Sequence, residues 1–105
     1  MREIEFRPRA VMDLDGIVVY IAYELKQPKA AQEIADALYQ AIEDLAENPD
    51  LGRVLNDEDL ERSYRRILVK RYWIYYSSTS AKLTIWRIFH TTQDHDAYGF
   101  EWLKD

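Results

Sequence analysis

Residues 62–94 decide the fold of this chain, and they read RSYRRILVKRYWIYYSSTSAKLTIWRIFHTTQD. Aromatic and β-branched side chains dominate the stretch, and such residues fit the pleated surface of a sheet. The pattern predicts strands over 65–70, 72–77 and 83–90, with a turn at 77–80 before the last strand. The connection at Lys70-Arg71 is so short that residues 65–77 form either two strands or one long bent strand.

This stretch also separates two parts of the chain that differ in charge. Residues 1–61 hold 6 Lys and Arg against 15 Asp and Glu, a net charge of −9, whereas residues 62–105 hold 8 against 4, a net charge of +4. Between Glu61 and Asp94 there are seven basic residues and no acidic one. A basic, aromatic sheet on an acidic body favours binding of an anionic partner.

The composition sets limits on the class of protein. A chain of 105 residues predicts one domain over 1–105, and an apolar run of about 20 residues, as a membrane span needs, is absent. The lack of cysteine and of a secretory signal is typical of a cytoplasmic protein. Two histidines and no calcium-loop spacing predict neither a metal nor another cofactor.

The first half of the chain predicts one strand and two helices. Residues 2–7 alternate charged and apolar side chains, and apolar positions then recur every three or four residues over 9–25. Gly16, inside that helix, is typical of a close helix crossing. A second helix is predicted over 28–47, between Pro28 and Asn48-Pro49. The predicted fold class is α+β: an N-terminal strand and an antiparallel helix hairpin packed on one face of an antiparallel sheet of three to four strands.

An ordered set of residues carries a family resemblance. In the strand region, Arg65-Arg66 precedes Tyr72-x-Ile74-x-Tyr76 and Leu83-x-Ile85-x-Arg87-Ile88-x-His90, with Asp94 four positions later. The matching positions before the strands are Ala10, Asp13, Leu14, Ile17, Tyr20, Ile21, Pro28, Ala31, Leu38, Ile42, Leu45, Pro49, Gly52 and Arg53. From Ala10 to Asp94 the chain resembles the RelE/ParE superfamily, the toxins of bacterial type II toxin–antitoxin pairs.

The resemblance implies growth inhibition that a cognate antitoxin with an acidic segment neutralises. Its closing pattern, from Ile85 to Asp94, is more similar to the ParE-like branch, which inhibits DNA gyrase and stabilises plasmids. The alternative is the RelE-like branch, which cleaves mRNA on the ribosome. Residues 91–93 depart from the family, where basic residues are common. A homodimer or a hetero-oligomer with the antitoxin is compatible with either branch.

RNA cleavage would need a base, an acid and cations around the phosphate, without a metal. The candidates are Arg65, Arg66, Arg87, His90 and Tyr72. Adjacent strand residues point to opposite faces, so only one of Arg65 and Arg66 shares a face with Arg87. In a regular strand Arg87 lies with Leu83, Ile85 and Phe89, and His90 lies on the other face unless a bulge intervenes. The prediction therefore leans away from an enzyme.

Binding and structural roles complete the sequence-based assignment. The candidates for antitoxin or target binding are cationic or aromatic residues of the basic stretch: Arg62, Arg65, Lys70, Arg71, Tyr75, Trp86 and Arg87. Pro49 and Gly52 are assigned structural roles in the turn after the second helix. Asp94 is assigned a structural hydrogen bond to His90, which competes with a catalytic role for that histidine.

Overall fold

The computed structural model describes residues 1–55 and 63–93 of the chain. A first strand, β1 (Glu3–Phe6), leads into helix α1 (Pro8–Val19), and a π-helical turn (Tyr20–Glu24) continues it. Helix α2 (Pro28–Glu47) follows, then a short 3₁₀ turn (Pro49–Leu51). The remaining strands are β2 (Arg53–Val54), β3 (Arg65–Val69), β4 (Tyr72–Ser78) and β5 (Lys82–His90). The predicted α+β class is confirmed.

The described residues form a five-stranded sheet in the order β1-β5-β4-β3-β2. β1 pairs with β5 in parallel, and the other neighbours pair antiparallel. Three to four strands were expected, and the difference lies in β2. With two residues, β2 is too short to show the alternation by which a strand is recognised in a sequence.

The connection between β3 and β4 is a tight turn rather than a bend in one strand. Val69 pairs with Tyr72, so only Lys70 and Arg71 form the loop, and Lys70 adopts a φ of 57°. Glycine or asparagine usually occupies such a position, because a β-carbon makes positive φ unfavourable. The usual signal of a two-residue hairpin turn is therefore missing from the sequence.

The helices pack on one face of the sheet as an antiparallel hairpin. Their buried positions, including Ala10, Leu14, Leu38, Ile42 and Leu45, meet a row of side chains from β4 and β5. Those sheet residues are Tyr72, Ile74, Tyr76, Leu83, Ile85 and Ile88. We call this side of the sheet the helix face. No helix in the described part of the chain has the length and apolarity that a bilayer crossing requires.

Gly16 does not mark a close helix crossing, so that expectation is wrong. A β-carbon built at Gly16 would have no heavy atom within 4 Å. The glycine is exposed on α1 and leaves open space where a side chain would stand.

Candidate functional site

Three of the predicted site residues stand side by side on the sheet face opposite the helices. Arg66 pairs with Tyr75, and Tyr75 pairs with Arg87, so the three form one row across β3, β4 and β5. The Arg66 guanidinium donates to the Tyr75 hydroxyl at 3.1 Å and stacks over Trp73 at 4.1 Å. We call this side the outer face. Arg66, rather than Arg65, is the member of the pair that shares a face with Arg87.

A β-bulge at Trp86 sets the direction of the side chains at the end of β5. Tyr76 pairs with Ile85 and Tyr75 with Arg87, which leaves Trp86 as an extra residue. Arg87 therefore lies with Phe89 but not on the face of Ile85, as regular alternation would require. Trp86 donates its indole N–H to the Ser77 hydroxyl at 2.8 Å and packs edge-on against Tyr64.

The Arg87 guanidinium is held by Asp13 of α1. Nε donates to Oδ2 at 2.8 Å and Nη2 donates to Oδ1 at 3.0 Å, while the backbone N–H of Ile88 donates to Oδ2 at 2.9 Å. Both side chains are mostly buried, with 20% of Arg87 and 16% of Asp13 exposed. The Asp13 carboxylate thus neutralises Arg87. It also accepts a hydrogen bond from the edge of β5 at a point that β1 does not cover. This bidentate geometry makes Arg87 a structural cation.

Arg65 points to the helix face and is anchored in the turn after α2. It pairs with Tyr76 across the strands, and its Nη1 donates to the Gly52 carbonyl at 2.8 Å. Its Nη2 lies 3.3 Å from the exposed Asp50 carboxylate. Arg65 therefore joins β3 to the preceding turn, away from the row that contains Arg66 and Arg87.

Tyr76 fixes the turn that contains Pro49 and Gly52. Its hydroxyl donates to the Pro49 carbonyl at 2.6 Å and accepts from the Gly52 N–H at 2.9 Å, with all three residues buried. A β-carbon on Gly52 would collide with that hydroxyl and would lie 2.8 Å from the Arg66 carbonyl oxygen. Burial raises the pKa of Tyr76, although the Gly52 hydrogen bond and the charge of Arg65 lower it in part.

His90 lies at the end of β5 on the helix face, and its ring contacts the turn that follows the strand. The Thr92 backbone N–H donates to Nδ1 at 3.1 Å, and the Thr92 hydroxyl oxygen lies 2.8 Å from the same atom. Because Nδ1 is an acceptor, the proton of the neutral ring is on Nε2. The proposed partner Asp94 lies outside the described residues, as does Arg62. The described contacts give His90 the role of a cap on the strand end.

Tyr72 is paired with His90 across β4 and β5 and packs edge-on against its ring, with centroids 5.2 Å apart. Burial is the main cause that raises the pKa of Tyr72, and nearby Tyr20 adds to it. A tyrosine that holds its proton more tightly is a poorer general acid near neutral pH.

The five catalytic candidates do not converge. Arg66 and Arg87 lie on the outer face, whereas Arg65, His90 and Tyr72 lie on the helix face. The described residues also contain no cluster of three or more His, Asp or Glu side chains that could hold a metal ion. In the row on the outer face Tyr75 is fully buried and Arg87 is bound by Asp13, and among the described residues the row has no adjacent acid–base pair.

Lys70 and Arg71 occupy a different position from the other cations. They form the β3–β4 turn at the end of the sheet, where both side chains are exposed. They line an open groove together with the helix hairpin, His90 and Gln93. In the part of the chain that the structure describes, no side chain pairs with either cation.

Asp13 was not predicted from the sequence to bind Arg87, and the ion pair that it forms is structural. A signal for it was present, since Asp13 lies three residues after Ala10 and four before Ile17, on the buried stripe of α1. A carboxylate on such a stripe is buried only when it is paired.

Comparisons with known proteins identify a sequence family and a similar fold. Residues 4–95 match the sequence family described as the ParE toxin of the type II toxin–antitoxin system parDE. A chain of the solved structure "Chromosomal ParDE TA system from P. aeruginosa" has a similar fold, with a TM-score of 0.69 and 17% sequence identity. The likeness covers 86% of this chain and 96% of that one. No curated protein sequence matches.

Proposed function

The chain belongs to the ParE toxin family of type II toxin–antitoxin systems, and from this membership we propose that it inhibits DNA gyrase by binding it. The family assignment makes the chain a toxin with a cognate antitoxin. What is proposed is that the target is DNA gyrase and that the toxin inhibits it by binding. The proposal includes a cytoplasmic location, which the absence of cysteine fits.

The observation that supports the proposal is the set of contacts made by the arginines that were expected to hold phosphate. Arg87 is bound through two nitrogens to Asp13, and Arg65 is bound to the Gly52 carbonyl and Asp50. Arg66 stacks on Trp73 and donates to Tyr75. In-line phosphoryl chemistry needs a base and an acid on either side of the phosphate and a cation beside it. The described residues offer these groups on two different faces of the sheet, which supports inhibition by binding.

The test is a DNA supercoiling assay with purified gyrase and relaxed plasmid. Increasing amounts of the toxin are expected to stop supercoiling, and addition of the antitoxin encoded beside it is expected to restore the activity. Full supercoiling at saturating toxin would remove the proposal. Mapping of transcript ends after expression of the toxin separates the ribosome-dependent alternative, because cuts in phase with codons would favour RNA cleavage.

A further inference from the structure

The outer face of the sheet carries buried aromatic side chains, although both described helices pack on the helix face. Tyr75 is fully buried on the outer face, and Phe89 leaves 7% of its surface exposed. The two rings lie edge-on with their centroids 5.9 Å apart. Aromatic side chains on one face of a sheet become buried when a second layer packs against them. The burial of Tyr75 and Phe89 therefore indicates that a further layer covers the outer face.

The buried rings mark the length of the covered surface. They extend from Phe89, near the β3–β4 turn, to Tyr64, which directly precedes β3 and is 4% exposed. Along β4 this distance corresponds to the step from Trp73 to Ser77, about 14 Å. Leu68 of β3 belongs to the same face but is 50% exposed. The covered surface therefore follows β4 and β5 and does not include the outer side of β3.

Two segments of the chain lie outside the described residues, 56–62 and 94–105. Residues 56–62 connect β2 to the start of β3, so both of their ends are at the Tyr64 end of the face. Residues 94–105 follow β5, whose last residue is His90, at the Phe89 end. Twelve residues reach at most about 40 Å. Residues 94–105 are thus long enough to return over the whole length of β4 and β5.

The composition of residues 94–105 is complementary to the outer face. They read DHDAYGFEWLKD, with four carboxylates and one lysine, whereas residues 62–93 hold seven basic residues and no acidic one. Tyr98, Phe100 and Trp102 alternate with other residues, and in an extended backbone such positions point to one side. Residues 56–62 read NDEDLER and contain one apolar side chain, that of Leu60. Opposite charge and a row of aromatic rings favour residues 94–105 as the layer on this face.

We propose that residues 94–105 bind the outer face of their own chain. Aromatic side chains, Phe100 among them, pack on Tyr75 and Phe89, and carboxylates of the segment face Arg66. The basic, aromatic surface that the sequence predicts for a partner is then occupied within the molecule. A protein or nucleic acid reaches this surface only by displacing residues 94–105. The inference holds whether or not gyrase is the target.

Spin labels on single cysteines test the position of each segment, because the chain has no cysteine of its own. One label is attached to Ala97→Cys and a second, in a separate protein, to Glu58→Cys. The label at position 97 is expected to broaden the backbone amide signals of Tyr75 and Phe89 strongly. The label at position 58 is expected to leave the Phe89 signal sharp. Isotope-labelled chains without a spin label, mixed with spin-labelled chains, are expected to show no broadening, because the contact lies within one molecule.

A matched pair of substitutions tests the packing in the full chain. Phe100→Asp is expected to lower the melting temperature by about 5–10 °C, because a carboxylate replaces a ring that packs on the sheet. Leu60→Asp makes a similar change in residues 56–62 and is expected to lower it by less than about 2 °C. An unchanged melting temperature of Phe100→Asp would contradict the proposal.

Three results of the spin-label experiment would also overturn the proposal. The label at position 97 could leave Tyr75 and Phe89 sharp, which would place the segment elsewhere. The label at position 58 could broaden Phe89 as strongly, which would make residues 56–62 the covering layer. Broadening in the mixture of chains would assign the contact to a second copy. Gyrase inhibition is measured separately, so its failure leaves these results unchanged.

Discussion

Asp13 and Arg87, 74 positions apart in the sequence, form a two-pronged ion pair between α1 and β5. The same carboxylate accepts the Ile88 N–H, so one side chain closes the strand edge and fixes the guanidinium. Because Asp13 binds its guanidinium group, Arg87 has a structural role in the fold. A cation expected to meet a phosphate or a partner instead stabilises the contact between helix and sheet.

Replacement of Asp13 by Ala is expected to destabilise the fold by about 2–4 kcal/mol, because it leaves a mostly buried guanidinium and a backbone N–H without their acceptor. Urea unfolding measures the loss. Asp15→Ala, at an exposed position of the same helix, is the control and is expected to change stability by less than about 0.5 kcal/mol. Equal effects of the two substitutions would contradict the structural role of Asp13.

Tyr76→Phe is expected to destabilise the fold by about 1–3 kcal/mol, since the Pro49 carbonyl and the Gly52 N–H lose a buried partner. Tyr39→Phe, at a tyrosine that is 48% exposed, serves as the control. Thermal unfolding of both variants measures the difference. A melting temperature of Tyr76→Phe equal to that of the control would show that this hydroxyl does not hold the turn.

His90→Ala is expected to cost about 1 kcal/mol of stability and to leave gyrase inhibition per folded molecule unchanged, because Nδ1 serves the Thr92 N–H. His90→Asn keeps an acceptor near that N–H and is expected to lose less stability. Unfolding and supercoiling assays on both variants separate a structural role of His90 from a catalytic one. A fully folded His90→Asn protein without activity would point to chemistry at this histidine.

Stability is expected to fall steeply above pH about 10, the ordinary pKa of tyrosine. Burial raises the pKa of Tyr72 and Tyr76, so the unfolded chain releases these protons first as pH rises. The stability that the neutral phenols confer is therefore complete below pH about 10 and is lost as pH rises through their folded pKa values. Urea unfolding from pH 8 to 11.5 is expected to show a shallower loss in Tyr72→Phe than in wild type. Parallel curves of stability against pH for Tyr72→Phe and wild type would contradict the contribution assigned to the Tyr72 phenol.

The sequence predicted the elements well where local signals were strong. Pro28 and Asn48-Pro49 bracket α2, and the structure begins and ends that helix at Pro28 and Glu47. The Tyr72 strand and the Leu83 strand were also predicted within one residue at each end. These elements depend on periodicity and on breakers that lie within the element itself.

The candidate site was less predictable because its geometry depends on long-range pairing. The bulge at Trp86 is a property of the register between β4 and β5, and nothing in the residues of β5 alone reveals it. The ion pair of Arg87 with Asp13 similarly joins distant parts of the chain. Residue type identified the cations correctly, but it did not reveal which of them the fold itself binds.

The central claim, that this toxin acts by binding gyrase rather than by acid–base chemistry, is tested by one titration of wild type and a Tyr72→Phe/His90→Asn variant into a supercoiling assay. Far-UV circular dichroism verifies that the variant is folded. Both proteins are expected to stop supercoiling at similar concentrations, because neither side chain takes part in a reaction. Supercoiling that continues at saturating wild-type toxin, or a folded variant that no longer inhibits, would contradict the claim.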